Sequence, residues 1–407
     1  MMVGIGGAAL SRVLQYRGHQ EGLLSRSGRP DPFTGHNDSL YGVGDALKRN
    51  LCDVDGDRDS ASTPWVQEAA PRVLTILDEH SAVYQQELIA RLNPEAGPYW
   101  DSGHAIEPTV VSETVNALVS AGLVRRVYNT TRGGRSVPML IPGNTRGRAT
   151  RIDRAVARKS LLVARYDSWA QASSRFPRGR LGPAGETAAL TSIRDSHCMV
   201  EGPDTQDRTG LGGYRFSGPV DWMGTTHSLA QGRVAVVVVE VKNVRSWIYP
   251  HSQEVYQLLS KAAGLQRHSP HLDIVPVLVC RRANRRMFAM AHHLGFFVVE
   301  AEQQPTGLSG DDEGSLTEVR QELGYQDLRL GREPIPKVAR GIAAVHENWP
   351  RFADRWRTLS DEPEAVAAIH ALAERRLPGP TRTSLKHELG RRALQVQGAP
   401  KFEWWNR

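Results

Sequence analysis

Four consecutive valines stand near the middle of the chain, at residues 236–239. An unbroken β-branched run of this kind predicts a central strand that is buried on both faces. The apolar runs at 274–280 and 296–300 predict two further buried strands, with Pro276 as the one discordant residue. The pattern therefore predicts a sheet in this part of the chain.

Helical spacing of apolar residues surrounds these strands. Residues 181–193 predict a helix opened by glycines, 252–263 a second helix, and 283–294 a third helix that a glycine ends. A short strand is expected near 214–217. With the apolar runs, these elements predict the order α-β-β-β-α-β, with a parallel crossover near its end, over about residues 178–303.

The region upstream of these elements has a different pattern. Helical spacing at 65–80, 85–92 and 108–121 predicts three helices. Two strand-like runs follow at 123–128 and 136–141, around a glycine-containing turn with arginines at its tip. The sequence therefore predicts a unit of three helices followed by a basic hairpin.

The candidate chemistry lies at the end of the valine run. Glu240 and Lys242 are two residues apart, so on a strand their side chains project from the same face. A carboxylate and an ammonium group at the end of a buried strand are costly unless they serve chemistry. Asp221 can bring a second carboxylate from the neighbouring strand. Two carboxylates and a lysine are a minimum set for binding a hard divalent cation beside a phosphodiester and activating water there.

The order of elements around Asp221, Glu240 and Lys242 resembles the PD-(D/E)xK nuclease superfamily, which has a restriction-endonuclease-like fold. The resemblance implies a metal-dependent nuclease core of αβββαβ type. It also implies that Asp221, Glu240 and the main-chain carbonyl of Val241 hold Mg²⁺, for which Mn²⁺ can substitute. Lys242 would position or help to deprotonate the attacking water, or stabilise charge on the phosphate.

Residues on the predicted helices complete the implied site. Glu186 matches a helix carboxylate that many superfamily members add to the metal site, although a glutamate in the first turn of a helix also complements the helix dipole. Gln257 and Lys261 are one turn apart on one helix face. They match a weaker motif that supports the lysine or contacts the strand to be cut. The sequence departs from the first motif at Val220, which separates the proline from the aspartate.

Three helices followed by a basic hairpin resemble a winged helix, in which the third helix enters a DNA major groove and the wing lies along the backbone. The outward residues of that helix are polar but include no arginine or lysine, so strong base reading is not evident. Between residues 125 and 159, ten basic residues stand against one acidic residue, which favours phosphate contacts. The alternatives are a solvated basic helix that joins two domains, or a winged helix that binds protein. The residues expected to contact DNA are Thr109, Ser112, Asn116, Arg132, Arg135, Arg146 and Arg148.

Composition agrees with a polyanionic partner. The 407 residues carry a net charge of +7, the pI is near 9.4, and no apolar stretch is long enough to span a membrane. The three cysteines lack metal-ligand spacing, which favours free thiols in a reducing cytoplasm. We recognise no signal peptide and no Gly-x-x-x-x-Gly-Lys-Ser/Thr loop, so we expect neither secretion nor ATP-driven translocation.

These patterns predict an α/β multidomain protein that acts on double-stranded DNA as a Mg²⁺-dependent endonuclease in the cytoplasm. Restriction of foreign DNA is expected by analogy only. One active site per chain is compatible with a homodimer or an additional protein partner. The expected parts are a flexible N-terminal segment (1–62), a winged-helix domain (63–150), a basic linker helix (151–177), a nuclease domain (178–303) and a helical C-terminal region (304–407).

Other readings stay open at this point. A DNA-binding regulator with an inactive nuclease fold would bind DNA without a metal ion and never nick it. A junction nuclease or an RNA nuclease would differ in its substrate. From the Glu-x-Lys sequence alone, a salt bridge at a sheet edge fits as well, with Asp221 in a turn. The ordered elements on both sides favour the nuclease.

Overall fold

The structure is a computed structural model of mixed α/β type. The segment 1–62, which was expected to be flexible, and Arg132 and Arg135 of the hairpin tip lie outside the residues that it describes. The described residues are 63–93, 106–130, 136–202, 208–398, 400 and 403–405.

Four helices and a three-stranded antiparallel sheet form the N-terminal unit. Its elements are α1 (Thr63–His80), β1 (Val83–Tyr84), α2 (Gln85–Arg91), α3 (Pro108–Ser120), β2 (Val124–Thr130), β3 (Ser136–Pro142) and α4 (Ala149–Ala170). The strand order is β1-β3-β2. The helices bury the apolar residues that their spacing indicates, including Val73, Val111 and Val115. The three predicted helices and the two predicted hairpin strands are confirmed at these positions.

A four-stranded sheet forms the centre of the fold. The elements of this part are α5 (Leu181–Asp195), β4 (Gly210–Leu211), β5 (Tyr214–Arg215), β6 (Trp222–Ser228), β7 (Arg233–Lys242), α6 (Gln253–His268), β8 (Asp273–Cys280), α7 (Arg285–Leu294) and β9 (Phe297–Glu300). The strand order is β6-β7-β8-β9. β6 runs antiparallel to β7, whereas β7, β8 and β9 are parallel to one another. The parallel crossover expected from the sequence is therefore present, with α6 between β7 and β8.

The region after β9 adds a small sheet and further helices. Its elements are β10 (Gln304–Thr306), a 3₁₀ turn (Gly310–Asp312), α8 (Glu313–Leu323), β11 (Leu328–Leu330), α9 (Pro336–Ser360), α10 (Pro363–Leu372) and α11 (Gly379–Gln397). The sequence of 304–314 is polar and acidic, as is typical of a linker, but its first part forms β10, which pairs in parallel with β11 and is fully buried. Burial is tolerated because the polar side chains there find partners, as when Thr306 Oγ1 donates to the Arg329 carbonyl at 2.9 Å.

The valine strand β7 separates two hydrophobic cores. Val236 and Val238 pack with residues of α6, α7, α10 and α11 on one face of the sheet. Val237, Val239 and Val241 pack with residues of α5 and α9 on the other face. The strand is buried on both faces, as its sequence predicts. Helices after residue 303 therefore share both cores with the sheet.

Local signals explain how the elements around β8 begin and end. The Asn284 side chain accepts a hydrogen bond from the Arg286 amide and so caps α7, and Gly295 ends this helix at φ 84°. Pro276 lies in β8 opposite Val238, whereas the pairing with β9 begins at Val277. The proline thus lies outside the part of β8 that has strands on both sides, which reduces the cost of its missing N–H.

The strand predicted near 214–217 is present only in part. β5 pairs with β4 in a separate hairpin. Its two-residue turn consists of Gly212 and Gly213, which both have positive φ. Tyr214 and Phe216 turn toward α6, with ring centroids 5.6 Å apart. The prediction that this strand joins the central sheet is therefore wrong. The observed order around that sheet is α-β-β-α-β-α-β rather than α-β-β-β-α-β.

The aromatic residues near the C-terminus pack against the body of the protein. The Trp404 side chain is fully buried, and its Nε1 donates to Nδ1 of His293 at 3.0 Å. Trp405 lies against it, with ring centroids 5.3 Å apart. Both side chains belong to the core on the α6 side of the sheet. The aromatic residues at 404 and 405 therefore dock on the body of the protein.

We predict that Trp404→Ala lowers the free energy of unfolding by about 3–5 kcal/mol, because it removes a fully buried indole and leaves a cavity. Chemical denaturation followed by circular dichroism measures this change. Trp65→Ala is the matched control, since the Trp65 side chain is 46% exposed and its removal should cost far less. Equal losses in the two variants would contradict the packing described for Trp404.

Candidate active site

Glu240 is the centre of a group of charged side chains at the end of β7. It is 5% exposed and projects from the α6 face of the strand. Its Oε1 accepts a hydrogen bond from Lys242 Nζ at 2.7 Å, and its Oε2 accepts one from Lys261 Nζ at 3.1 Å. Lys261, which α6 supplies, also donates to the Pro219 carbonyl at 2.7 Å. One buried carboxylate is therefore held between two ammonium groups.

The pairing of β6 with β7 brings Asp221 to this group. β6 begins at Trp222, which pairs with Val239, so Asp221 lies directly before β6 and beside the end of β7. The Asp221 amide donates to the Val239 carbonyl at 3.1 Å, and the Val241 amide donates to Asp221 Oδ2 at 2.6 Å. Both the backbone and the side chain of Asp221 are thus fixed relative to β7.

Burial and the neighbouring Glu240 carboxylate raise the pKa of Asp221 to about 6, with a smaller contribution from Glu186. The hydrogen bond from Val241 and the charge of Lys242 oppose this change but do not cancel it. The carboxylates of Asp221 and Glu240 therefore repel one another, and a bound cation would stabilise both in their charged form.

Lys242 stays protonated in this environment. Burial acts to lower the pKa of Lys242, but the charge of Glu240 and the hydrogen bond to it raise that pKa, and Asp221 and Glu254 add to the effect. The net direction is upward. Lys242 therefore presents an ammonium group, which can stabilise negative charge but cannot accept a proton.

Glu186 differs from its predicted position. The helix α5 begins at Leu181, so Glu186 lies in its second turn and not in its first, where no acidic residue is present. Complementing the helix dipole therefore does not explain this glutamate. Its Oε1 pairs with Arg178, and its charge contributes to the raised pKa of Asp221. Glu186 thus lies within electrostatic reach of Asp221 while bound to an arginine.

The two residues predicted on the helix after β7 have different surroundings. Lys261 is buried and contacts Glu240 directly, as described above. Gln257 lies one turn earlier on α6 and is half-buried. The hydrogen bonds that Glu240 accepts come from the two lysines and not from Gln257.

The residues predicted on α3 lie at its surface, and two of them form hydrogen bonds with other side chains of the protein. Thr109 and Asn116 are exposed, and Ser112 is half-buried. Ser112 Oγ accepts from Gln85 Nε2 at 2.8 Å, and Asn116 Oδ1 accepts from Arg126 at 2.6 Å. All three predicted residues line a cleft of about 390 Å³ whose other wall comes from the segment after β7.

The basic stretch between residues 125 and 159 divides into exposed and paired side chains. Arg146 and Arg154 are exposed, whereas Arg148 is exposed but pairs with Asp78. Lys159 is 2% exposed and donates to Glu87, so its inclusion among the expected phosphate contacts is wrong. The physical reason is that a buried lysine beside a buried carboxylate serves the packing of α4 and not an external anion.

A second group of residues lies directly behind the site, and no signal in the sequence indicates it. Asn243 follows Lys242, and its Nδ2 donates to the Leu181 and Pro305 carbonyls at 2.6 and 2.8 Å. Asp327 accepts hydrogen bonds from Arg245 at 2.5 Å and from Arg281 at 3.0 Å. Residues up to 82 apart in sequence meet here, so spacing along the chain cannot reveal them.

A scan of family models and searches of curated proteins and of solved structures found no match to this chain. The nuclease and winged-helix resemblances therefore depend on the residues and on the order of elements alone. No helix in the described part is long and apolar enough to cross a membrane. Within the described ranges, no three His, Cys, Asp or Glu side chains are grouped so that they could hold a metal ion among themselves.

We predict that Asp221→Asn stabilises the protein at neutral pH in the absence of divalent cations. A carboxyl group whose pKa is raised by folding binds its proton more tightly in the folded state. Its contribution to stability is therefore complete below the unfolded-state pKa near 4 and is lost as the pH rises to about 6. Asparagine can still accept the hydrogen bond from Val241 but carries no charge. The expected gain is about 2 kcal/mol at pH 7.5, after allowance for solvent screening, and much less at pH 4.5.

Urea denaturation of wild type and variant at both pH values measures this difference. Asp361→Asn is the matched control, because Asp361 is an exposed aspartate outside the candidate site. If the stability difference between Asp221→Asn and the wild type did not change with pH, the Asp221 carboxylate would not be destabilised by burial and by Glu240 as described.

Proposed function

We propose that this protein is a metal-dependent endonuclease that hydrolyses phosphodiester bonds in double-stranded DNA. The observation that carries the proposal is the meeting of Asp221, Glu240, Lys242 and Lys261 at the end of the buried strand β7. Two carboxylates and two lysines at one strand end suit phosphodiester hydrolysis. The order α-β-β-α-β-α-β with a mixed sheet supports a restriction-endonuclease-like core, without the first predicted strand.

The donor set fits Mg²⁺, with Mn²⁺ as a substitute. Asp221 and Glu240 are hard oxygen donors that are close enough for Glu240 to raise the pKa of Asp221, and the Val241 carbonyl is the proposed third donor. Mg²⁺ is commonly held by one or two carboxylates together with waters and substrate phosphate oxygens, so a three-carboxylate cage is not needed. The raised pKa of Asp221 supports this assignment, because a cation would relieve the repulsion between the two carboxylates. The bound ion would supply polarisation of the phosphate and a more acidic water.

The lysines have separate roles in this proposal. Lys242 is partly exposed, with 21% of its side chain accessible, and it is protonated. It therefore suits the stabilisation of charge that develops on the phosphate in the transition state. Lys261 is more deeply buried and donates to both Glu240 and the Pro219 carbonyl. It would hold Glu240 and the segment before Asp221 in position.

We assign the DNA contacts to the exposed basic side chains of the N-terminal unit. Arg125, Arg146 and Arg154 are exposed and make no ion pair with a described residue. Arginines of this kind bind phosphates and contribute affinity with little sequence information. The three helices and antiparallel hairpin support the winged-helix interpretation of this unit.

One observation favours a second function, a DNA-binding regulator that has kept the fold without the activity. Both carboxylate oxygens of Glu240 accept hydrogen bonds from lysines, so a cation that binds there competes with two ammonium groups. A regulator would keep this closed arrangement and bind DNA equally well with and without Mg²⁺.

We predict that the wild type nicks or linearises supercoiled plasmid in the presence of Mg²⁺ or Mn²⁺. Glu240→Gln and Lys242→Ala should each reduce the rate at least about 100-fold, because they remove a proposed metal ligand and the group that stabilises phosphate charge. Gel analysis of plasmid forms over time measures the rate. Lys337→Ala is the matched control for the lysine change, since Lys337 on α9 pairs with Glu302 away from Glu240.

Plasmid that is bound but left intact with every metal ion would favour the regulator. Cleavage that continues in both Glu240→Gln and Lys242→Ala would show that the active site lies elsewhere.

We also predict that Arg146→Ala and Arg154→Ala weaken duplex binding to a similar degree for unrelated sequences. Each change should reduce the slope of log K against log salt concentration by about 1, because one phosphate contact is lost. Fluorescence anisotropy at several salt concentrations gives these slopes. Arg376→Ala, an exposed arginine just after α10, serves as the control with an unchanged slope. Unchanged slopes for Arg146 and Arg154 would exclude them from the DNA-contacting surface.

A further inference from the structure

A cleft separates the helix α3 from the segment that follows β7, and we call it the α3 cleft. Its volume is about 390 Å³, which lies within the range of sites for small organic molecules. The α2 and α3 side contributes polar side chains, and the opposite wall contributes Ser246, Trp247 and Tyr249. The other lining residues are Gln85, Gln86, Ile89, Pro108, Thr109, Ser112, Glu113 and Asn116.

The charges in the α3 cleft do not suit a phosphate group. None of its described lining residues is a lysine or an arginine, and Glu113 adds a negative charge. Burial raises the pKa of Tyr249, and the nearby Glu107 carboxylate raises it further, so the phenol is neutral. The cleft therefore differs from the exposed basic surface of the same unit and favours a neutral, polar ligand.

The groups in the α3 cleft match the chemistry of a nucleobase. Tyr249 is half-buried and supplies an aromatic ring, on which bases commonly stack, and this ring already stacks with His251 at a centroid distance of 5.2 Å. Trp247 also lines the cleft but is only 9% exposed, and its indole N–H and the Tyr249 hydroxyl are buried without a hydrogen-bond partner among the described residues. The side-chain amides of Gln86 and Asn116 can read the donor and acceptor edge of a base.

We propose that the α3 cleft binds a nucleobase that has left the base stack of the DNA. This inference rests on the proposed function, because it makes the cleft part of the DNA path to the site. Ser246 follows Lys242 by four residues, so the two positions are at most about 14 Å apart. This separation corresponds to about four base steps along a DNA strand. The bound base would therefore belong to a nucleotide close to the bond that is cut.

The carboxylate of Glu113 favours some bases over others. Glu113 can accept a hydrogen bond from an exocyclic amino group, which adenine and cytosine present and thymine lacks. Adenine also offers the paired donor and acceptor that an asparagine or glutamine amide binds in a bidentate manner. The α3 cleft is therefore expected to prefer an amino-bearing base, with adenine as the best match for Asn116.

Binding of three duplexes of identical length and flanking sequence tests the proposal. The first carries adenine opposite thymine, the second carries adenine opposite an abasic site, and the third carries thymine opposite an abasic site. Fluorescence anisotropy with the full chain in EDTA prevents cleavage during the measurement. We expect the second duplex to bind about tenfold tighter than the first and also tighter than the third, because an unpaired base costs less to extrude.

Asn116→Ala and Glu113→Gln should bring the ratio between the second and third duplexes to about one. Both side chains are exposed, so the variants are expected to fold, and unchanged thermal unfolding confirms it. Arg146→Ala should weaken binding to all three duplexes and leave the ratio unchanged.

Equal affinity of the wild type for the two abasic duplexes would overturn the proposal, since it would indicate recognition of flexible DNA and not of a base. A ratio that survives in both cleft variants would also overturn it. Neither result would affect the nuclease assignment, which plasmid cleavage tests separately. Absence of binding to all three duplexes would overturn the base site, and plasmid cleavage would still decide the nuclease assignment.

Discussion

The carboxylate of Asp327 lies between two buried arginines, and the chain behind the candidate site is organised around this contact. Arg245 and Arg281 each donate to one of its oxygens, and Arg281 also donates to the carbonyls of Val244 and Arg245. Burial alone would raise the pKa of Asp327, but the two arginines hold it below its ordinary value. Loss of one partner in such a group leaves a buried charge uncompensated, at a cost of about 3–5 kcal/mol. The segment that leaves β7 after Lys242 is therefore fixed by charge as well as by packing.

The same contact connects the candidate site to the N-terminal unit. Gln304 accepts hydrogen bonds from Tyr166 of α4 and from Arg245, and its amide donates to the Asn243 carbonyl. A second buried ion pair, between Lys159 and Glu87, ties α4 to α2. Through α4, which carries both Lys159 and Tyr166, these contacts thus connect α2 of the N-terminal unit to the residue after Lys242. Such a connection suits an enzyme in which the surface that binds the substrate must keep its orientation relative to the reacting groups.

Sequence patterns were reliable where the deciding information is local. The valine run predicts β7, the two-residue spacing predicts that Glu240 and Lys242 share a face, and a glycine predicts the end of α7. The pairing of β6 with β7 then supplied what the sequence could only suggest, the position of Asp221 beside the end of β7. The predictions fail where distant residues decide. Lys159 reads as an exposed cation until Glu87, 72 residues away, is placed beside it. Likewise, β10 reads as a polar linker because its partner strand and the partners of its buried side chains come from other parts of the chain.

The position of Trp404 and Trp405 has a consequence for how the protein is made. The chain leaves the ribosome with its N-terminus first, so the strands β6 to β9 emerge well before these two residues. The apolar surface on the α6 side of the sheet then stays incompletely covered until residue 405 has left the exit tunnel. Exposed apolar surface on an unfinished sheet promotes aggregation of nascent chains. The yield of folded protein in a cell should therefore depend on chaperone capacity during synthesis and not only on the stability of the finished fold.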